Sequence, residues 1–343
     1  MSINKNMAEN IKNNPEITIA FLNYNTADEL IRAIDSVPEA CGDIDYHLTV
    51  IDNCSTDDSV EKLKRYDDKI DVLALENNFG FAAGFNKIFS HINTPYYFLL
   101  NSDIILSPGC IKKLLAKIKQ NQNIGLAGVK LIREDGSSQT SFGKFPSLAS
   151  ELINRSLWQK NYARKITDYG QRIAGHDTSL TDASENPEFY DVDCIIGAAM
   201  FLPRSTFDKV GGMDEDFFFF LEETDWCKRI QNAGLIVAHF PDIEVVHLQG
   251  KAANKVPVKA RIEFHRSRLH YFKKHYGNFP VALLWIGSLL RLIINFVIMF
   301  LLTIITLGKS EKIKNKMKLY AGVFLWYLKG CPKNGGLNSN VEL

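Results

Sequence analysis

Short apolar runs alternate with amphipathic stretches from residue 17 to residue 131. The runs have the length of strands, and the stretches between them repeat their apolar residues at helical spacing. Strands and helices in alternation predict βαβ units around a largely parallel sheet. The apolar runs lie at 17–22, 48–51, 72–75, 96–100 and 124–131, and the helix-like stretches lie at 26–37, 57–66, 81–92 and 108–120.

Residues that favour helix N-termini stand where three of these stretches begin. Thr26 opens the first stretch, and Asp57 and Asp58 lie in the first turn of the second. Ser107 and Pro108 open the stretch at 108–120, where a capping hydroxyl followed by proline predicts the first helical turn.

The alternation is lost between residues 132 and 190, which are rich in Ser, Asn, Asp and Gly. This composition predicts a long excursion or an antiparallel insertion near a functional site. The pattern returns in 191–250, with an apolar run at 194–202, a helix-like stretch at 222–233 and two further runs at 235–240 and 243–247.

The region 281–307 is apolar and carries one formal charge, Arg291. A spanning helix needs about 20 apolar residues, so the region is long enough to span, but a central arginine is costly there. Both flanks are basic, and basic flanks prefer the cytoplasmic side. The pattern therefore favours peripheral or re-entrant association with the cytoplasmic face of the cell membrane, over one span or a soluble helical subdomain. The basic flanking residues are Arg261, Arg266, Arg268, Lys273, Lys274, Lys309, Lys312, Lys314, Lys316 and Lys318.

Composition excludes several protein classes. The chain has 343 residues and is 46% hydrophobic, which excludes a disordered tail protein or a disulfide miniprotein. A formal net charge of +1 gives no reason to expect a nucleic-acid partner. The six cysteines form no C-x-x-C pair, which predicts reduced thiols rather than a zinc ribbon. Residues 1–15 are polar and include no apolar leader, so we expect the protein on the cytoplasmic side.

Three of the apolar runs end in small polar or acidic side chains. These are Asn23 and Asn25 after the first run, Asp52 after the second, and Asn101, Ser102 and Asp103 after the fourth. The carboxyl ends of parallel strands meet at one edge of a sheet, where ligands bind. Each of these residues could by itself be an ordinary turn residue, but three converging strand ends predict a site.

Three further segments carry candidate chemistry. Residues 77–86 combine asparagines with Gly80 and Gly84, which allow a helix start to lie close to a phosphate. Four phenylalanines at 217–220 precede the carboxylates of Glu222, Glu223 and Asp225, any of which could accept a proton in a dry cleft. His247 ends the run at 243–247 and is by itself more typical of a structural histidine.

Together these residues resemble family 2 glycosyltransferases of the GT-A fold, and bacterial rhamnosyltransferase-type members in particular. The order of motifs is kept from residue 17 to residue 250. The motifs are NYN at 23–25, DNxSxD at 52–57, NNFGFAAGFN at 77–86, LLNSD at 99–103, GAAMFLPR at 197–204, VGGMDEDFF at 210–218, EExDW at 222–226 and VVHLQG at 245–250.

The resemblance implies an α/β fold of the GT-A (Rossmann-like) type, with a mixed, mostly parallel sheet flanked by helices and a C-terminal helical membrane-associating extension. The implied organisation is a flexible N-terminus at 1–15, a GT-A glycosyltransferase domain at 16–255, a basic and apolar helical membrane-associating region at 256–330 and a flexible tail at 331–343.

The resemblance also implies roles for the candidate residues. Asp52 would contact the base or ribose of a nucleotide, and Asp103 and His247 would bind a divalent cation, Mg²⁺ or Mn²⁺, that stabilises a departing diphosphate. Glu223 would be the base in a single displacement with inversion. The other residues implied to contact the nucleotide or donor sugar are Asn23, Asn25, Asn78, Gly80, Gly84, Asn86, Asn101 and Ser102.

Two positions depart from the family pattern. Asn101 stands where the first aspartate of a D-x-D motif would be, which removes one negative charge from the metal site. Glu223 stands where an aspartate is usual, so Glu222 and Asp225 remain alternatives for the base.

The expected function is transfer of a sugar, with rhamnose as one candidate, from a UDP- or dTDP-linked donor to a saccharide or lipid-linked acceptor in cell-surface polysaccharide synthesis. Asn101 keeps open a catalytically silent sugar-nucleotide-binding or scaffolding subunit. A nucleotidyltransferase is a second alternative, which the lack of a glycine-rich loop with a lysine near the N-terminus disfavours.

Overall fold

The computed structural model describes residues 15–66, 69–152, 188–248, 256–307 and 309–337. The described chain forms two compact units. The first lies within Met1–Phe145, Ser156–Asp214 and Glu223–Gly250, and the second lies within Pro146–Arg155, Glu215–Glu222 and Lys251–Leu343.

A mostly parallel sheet is the centre of the first unit. Nine described strands join in the order β3, β2, β1, β4, β10, β6, β11, β5, and β8 pairs with β11. Six strands (β1–β4, β6 and β11) run parallel, whereas β10, β5 and β8 run antiparallel to their neighbours. This confirms the expected mixed, mostly parallel sheet. The strands are β1 Ile17–Asn23, β2 Tyr46–Asp52, β3 Asp71–Ala74, β4 Tyr96–Asn101, β5 Ile104–Leu106, β6 Ile124–Ile132, β7 Phe142–Gly143, β8 Tyr190–Asp191, β9 Cys194–Ile195, β10 Ala199–Pro203 and β11 Ile236–His247.

Helices follow the parallel strands and bury their apolar faces. Leu30, Ala33 and Ile34 of α1 and Ile111, Leu114 and Leu115 of α5 belong to the same buried cluster as β1. The helices are α1 Ala27–Asp35, α2 Val37–Cys41, α3 Ser59–Leu63, α4 Gly80–His91, α5 Cys110–Gln120, α6 Leu148–Leu152, α7 Arg204–Val210, α8 Glu222–Asn232, α9 Pro257–Tyr276, α10 Asn278–Ile305 and α11 Glu311–Leu328.

Three predicted helices have different bounds. The stretch 26–37 ends at Asp35, and α2 begins at Val37, because Pro38 cannot continue the first helix. The helix predicted from Pro108 begins at Cys110, after Gly109 adopts a left-handed φ of 71°. The stretch 57–66 contains only the short α3, followed by a 3₁₀ turn at Lys64–Tyr66.

The two runs predicted as strands at 235–240 and 243–247 are one strand, β11. Its pairing with β6 shifts register between Phe240 and Glu244. Pro241 lies in this shift and has no N–H to donate to the ladder, so the strand continues through an irregularity rather than ending.

The excursion at 132–190 is antiparallel where it is described, because β7 pairs with β9 in that direction. Residues 153–187 of the excursion lie outside the described residues, as do residues 1–14 of the expected flexible N-terminus. Residues 331–337, expected in a flexible tail, are hydrogen-bonded to α9: Leu337 N–H donates to Glu263 Oε2 at 3.1 Å and Arg266 Nη1 donates to the Lys333 carbonyl at 3.1 Å.

The six cysteines are free thiols. Burial raises the pKa of Cys41 and of Cys110 to about 12, which keeps both thiols protonated and unreactive.

The second unit consists mainly of helices α9, α10 and α11. Leu284 of α10 packs with Tyr271 and Phe272 of α9, and Leu292 packs with Val323 and Trp326 of α11. By length and composition α10 could cross a membrane: it has 28 residues, and its most apolar 18-residue window has a mean hydropathy of 2.4.

We expect His239 to make stability depend on pH. It is buried in β11, its ring centre 4.7 Å from that of Phe142, and burial lowers its pKa to about 4. The unfolded chain, with a His pKa of about 6.5, takes up this proton as the pH falls through about 6.5 to 4, whereas the folded chain does not. Between pH 7 and pH 5 this histidine should therefore remove about 2 kcal/mol of stability.

Urea unfolding of wild type and His239→Phe at both pH values measures this contribution. The variant should lose about 2 kcal/mol less than wild type on going to pH 5. His91→Phe, at an exposed position, is the control and should keep the wild-type pH dependence. Equal losses in wild type and His239→Phe would contradict the assignment.

Candidate active site

The ends of β1, β2 and β4 lie in register at one edge of the sheet. Asn23 stands opposite Asp52, and Leu22 stands opposite Asn101. Asn23 and Asp52 are buried, and Asn23 Nδ2 donates to Asp52 Oδ1 at 2.8 Å. The same Nδ2 donates to Ser55 Oγ at 3.0 Å, while Asp52 Oδ2 accepts the Ser55 N–H at 2.9 Å.

The hydroxyl of Thr26, which the sequence suggested as a helix cap, extends this network to the end of β4. Thr26 Oγ1 donates to Asn23 Oδ1 at 2.8 Å and lies 2.6 Å from Ser102 Oγ. Thr26 makes no side-chain cap hydrogen bond. Hydrogen bonds therefore connect Asp52, Asn23, Thr26 and Ser102 across the edge of the sheet.

Asn25 shapes the loop that follows β2. Its φ is 56°, and its Oδ1 accepts the N–H groups of Thr56 at 2.7 Å and Asp57 at 3.2 Å. Its own N–H donates to Ser55 Oγ at 3.0 Å. The Asn25 side-chain carbonyl, which was expected to line a nucleotide pocket, thus holds the backbone of residues 56 and 57.

Asn53 holds the segment that contains Asn78 and Gly80. Its Nδ2 donates to Asn78 Oδ1 and to the Gly80 carbonyl, each at 3.0 Å, and its Oδ1 accepts the Phe79 N–H at 2.9 Å. Gly80 begins α4 with a φ of 84°, a conformation that favours glycine. Gly84 lets α4 approach β1, because a Cβ there would lie 2.7 Å from Leu22 Cδ1.

Asn86 contacts the loop that precedes the acidic helix. Its Nδ2 donates to the Met213 carbonyl at 2.8 Å, and its Oδ1 accepts the Met213 N–H at 3.0 Å. A Cβ on Gly212 would lie 2.4 Å from Asn86 Oδ1, so this approach requires glycine. Asn86 therefore positions the loop at 211–213.

Asp103 and His247 are brought together by β5, a strand that the sequence analysis missed. Ile104 of β5 pairs with His247 of β11, and the Leu248 N–H donates to the Asp103 carbonyl at 3.0 Å. His247 Nε2 consequently lies 3.5 Å from Asp103 Oδ1. The signal for this strand was the apolar triplet 104–106 directly after Asp103.

Gln139 orients His247 and was also missed. Its Nε2 donates to the His247 carbonyl at 2.6 Å, which fixes the orientation of the amide, and its Oε1 lies 3.0 Å from His247 Nδ1. An amide oxygen only accepts, so Nδ1 carries a proton and Nε2 is the ring nitrogen that faces Asp103. An oxygen and a nitrogen donor this close could both bind one divalent cation.

The three acidic residues of α8 differ in burial. Glu222 is 3% exposed and Asp225 is 0% exposed, whereas Glu223 is half-buried. Phe220 and Leu221, just before the helix, have φ values of 73° and 69°, which are uncommon for such residues.

Asp225 is engaged by an arginine that also holds the loop at 210–213. Arg229 Nε donates to Asp225 Oδ2 at 2.8 Å. The same guanidinium donates to the Val210 carbonyl at 3.1 Å and to the Gly212 carbonyl at 2.8 Å. These contacts favour a positioning role for Asp225 over that of a base.

Glu223 lies close to the sheet edge through Gly197. A Cβ on Gly197 would be 3.4 Å from both Cβ and Cγ of Glu223 and from Cζ of Phe81 in α4. The next residue, Ala198, accepts the Asn101 N–H at 3.0 Å. Glu223 is therefore next to the segments that carry the asparagine and glycine motifs.

Residues 18–180 match the model of the glycosyl transferase family 2. The chain carries a family 2 glycosyltransferase domain. Over 253 residues it is 24% identical to an N-acetylglucosaminyl-diphospho-decaprenol L-rhamnosyltransferase of Mycobacterium tuberculosis, covering 69% of this chain and 78% of the relative. Over 177 residues it is 25% identical to an undecaprenyl-phosphate 4-deoxy-4-formamido-L-arabinose transferase of Klebsiella pneumoniae, covering 50% of this chain and 51% of the relative.

The glycosyltransferase domain has the GT-A fold. A mannosyltransferase from Pyrobaculum calidifontis, solved in complex with GDP-Man and Mn²⁺, matches with a TM-score of 0.51 at 13% identity. The match covers 93% of this chain and 87% of that one. At this identity the likeness concerns the fold.

We predict that the buried Asp225–Arg229 pair is essential to the stability of the glycosyltransferase domain. Asp225→Asn should lower the free energy of unfolding by about 3 kcal/mol, because it leaves a largely buried guanidinium without its counter-charge. Chemical denaturation measures the loss.

The domain contains a matched control for this change. Arg204 and Asp208 form an ion pair with the same spacing and the same 2.8 Å Nε-to-carboxylate distance, but the Asp208 side chain is 57% exposed. Asp208→Asn should cost less than about 1 kcal/mol. Similar losses in the two variants would show that burial of Asp225 is not decisive.

Proposed function

We propose that this chain is an inverting, divalent-cation-dependent glycosyltransferase. It transfers a sugar, with rhamnose as the first candidate, from a UDP- or dTDP-linked donor to a lipid-linked or saccharide acceptor in cell-surface polysaccharide synthesis. The observation that carries the proposal is the 3.5 Å approach of Asp103 to His247 beside the hydrogen-bonded strand ends. The rhamnosyl and lipid-linked activities named for the two relatives support the choice of sugar and acceptor.

A carboxylate oxygen of Asp103 and a ring nitrogen of His247 suit a hard or borderline divalent cation. Asp103 and His247 would hold it, and a histidine nitrogen beside a carboxylate favours Mn²⁺ over Mg²⁺. When bound, such a cation stabilises the negative charge that grows on a departing diphosphate. Gln139 keeps the His247 proton on Nδ1, so that Nε2 is available as a ligand.

Asp52 and the backbone around Asn23 would contact the nucleoside of the donor. Asn101 and Ser102 lie between that contact and Asp103, where the diphosphate would extend. Asn25, Asn78, Gly80, Gly84 and Asn86 shape the surrounding loops and the start of α4.

Glu223 is our choice for the base. A base must reach the acceptor hydroxyl, and among the three acidic residues of α8 only Glu223 is partly exposed. Its carboxylate takes the proton while the acceptor oxygen bonds to the anomeric carbon. The bond from that carbon to the diphosphate breaks on the opposite face with its electron pair, and the anomeric configuration inverts.

Glu223→Gln should abolish most of the transfer while leaving the fold intact. Loss of a general base typically lowers kcat by 10²–10⁴-fold, roughly, and glutamine keeps the size of the side chain. Donor titration and thermal unfolding should match wild type. Glu134→Gln, at an exposed surface ion pair, is the control and should retain full activity.

The same assays separate the alternatives. A scaffolding subunit would bind donor but show no turnover in wild type. A nucleotidyltransferase would consume the nucleotide sugar only with added pyrophosphate, and would then release a nucleoside triphosphate and a sugar 1-phosphate rather than a nucleoside diphosphate. Mass spectrometry of the products from UDP- and dTDP-sugars identifies the donor, and either of those two outcomes would overturn the proposal.

Gln139→Leu should weaken Mn²⁺ binding by roughly 10–100-fold, as expected when a ligating histidine loses the partner that orients it. Calorimetry of Mn²⁺ binding with nucleoside diphosphate present measures the affinity without requiring turnover. Gln231→Leu also removes a side-chain hydrogen bond to a backbone carbonyl, that of Val192, and is the control. Equal Mn²⁺ affinity in the two variants would rule out the orienting role.

We place the reaction at the cytoplasmic face of the cell membrane, where a lipid-linked acceptor would be anchored. The apolar α10 and its basic flanks support this location.

A further inference from the structure

The α10 helix has two halves with different surroundings. In the first half Leu284, Ser288 and Leu292 are buried, four residues apart on one face. From residue 293 to the end of α10 at Ile305 no side chain of this helix is buried. The exposed apolar residues of this second half are Ile293, Ile294, Phe296, Val297, Ile298, Phe300, Leu301, Ile304 and Ile305.

The first half is tied to α9 by polar contacts as well as apolar ones. Arg268 Nη2 donates to Ser288 Oγ at 2.6 Å, and Arg268 Nη1 lies 3.2 Å from Glu151 Oε2. Arg268 and Glu151 are 5% and 3% exposed. Moving this half of α10 into lipid would remove Ser288 from the buried Arg268–Glu151 ion pair. Exposing a buried ion pair in this way costs free energy.

The first half of α10 also has an exposed apolar face. Phe279, Leu283, Ile286 and Leu290 are exposed there, on the side opposite Leu284, Ser288 and Leu292. The exposed apolar face therefore runs along the length of α10. A helix that lies along the membrane surface with this face toward lipid keeps Arg268 and Glu151 inside the protein, whereas a spanning helix would carry them to the level of the hydrocarbon core.

Lysines lie beside the apolar half. The connection from Ile305 to Glu311 is short, and α11 returns against α10, with Val323 and Trp326 packed near Leu292. The first turns of α11 consequently lie along residues 293–305. The segment 309–318 carries five lysines, Lys309, Lys312, Lys314, Lys316 and Lys318, against one acidic residue, Glu311. A deep re-entrant or spanning arrangement would bring these charges into hydrocarbon.

We infer that the α10–α11 hairpin lies in the plane of an anionic lipid surface. The exposed apolar face of α10 enters one leaflet, and the lysines at 309–318 bind the headgroups. This inference deepens the membrane-surface part of the proposed function, and it requires nothing of the reaction itself. Apolar burial and lysine attraction to anionic lipid both contribute to such binding.

Flotation with phosphatidylcholine vesicles, with and without phosphatidylglycerol, tests the inference on the full chain. Wild type should bind better when phosphatidylglycerol is present. The triple variant Lys312→Glu, Lys316→Glu, Lys318→Glu should lose at least 30-fold in affinity for those vesicles, since each lysine contributes roughly fivefold. Lys64→Glu, Lys69→Glu, Lys112→Glu makes the same change in net charge at exposed positions elsewhere and should bind like wild type.

An apolar variant and a labelling experiment test the in-plane arrangement. Ile294→Ser, Ile298→Ser, Leu301→Ser should weaken binding to both kinds of vesicle. A membrane-impermeant amine reagent outside sealed vesicles should label Lys309 and Lys312 without permeabilisation. Labelling that requires permeabilisation would overturn the inference in favour of a span, and equal binding by the two lysine variants would overturn it in favour of non-specific attraction.

Transfer from the donor to a saccharide acceptor, measured in the absence of vesicles, keeps this inference separate from the proposed function. Vesicle binding as expected, with no turnover in wild type, would overturn the proposed function alone. Turnover with no preference for anionic vesicles would overturn the inference alone.

Discussion

The candidate site depends on the antiparallel pairing of β5 with the end of β11. This pairing places Asp103, which follows β4, next to His247, which ends a strand far along the chain. The loop after β6 returns Gln139 to the same place, where its amide contacts both the ring and the carbonyl of His247. Three separate segments therefore converge through backbone pairing, and the contacts of Gln139 fix how the His247 ring faces Asp103.

Many polar side chains around this point form hydrogen bonds with the protein's own backbone. Asn25 and Asn86 were expected to contact a ligand, yet the side-chain amide of each accepts a backbone N–H of a neighbouring segment, as that of Asn53 also does. Buried polar groups require partners, and a site built from loops needs such contacts to keep its shape. The same holds at the strand ends, where both carboxylate oxygens of Asp52 accept hydrogen bonds from Asn23 and Ser55.

Burial distinguishes carboxylates that the sequence left equivalent. Glu222, Glu223 and Asp225 lie within four positions of one another, but Asp225 is paired with Arg229 and Glu223 alone is partly exposed. A helix turns by about 100° per residue, so neighbouring side chains face different environments, and only the packing of α8 decides which faces the site. The same reasoning applies to α10, whose composition suits a span but whose first half buries one face against α9 and α11.

The periodicity of the chain determined the strands, most of the helices and the edge of the sheet where polar residues gather, because alternation and strand ends are local properties. It missed β5, divided β11 at Pro241 and could not identify Gln139, since each of these depends on a partner distant in sequence. Which carboxylate stays partly exposed, which asparagines support loops and which face of α10 is buried were decided only by tertiary structure, because burial and hydrogen-bond pairing arise when separate segments pack together.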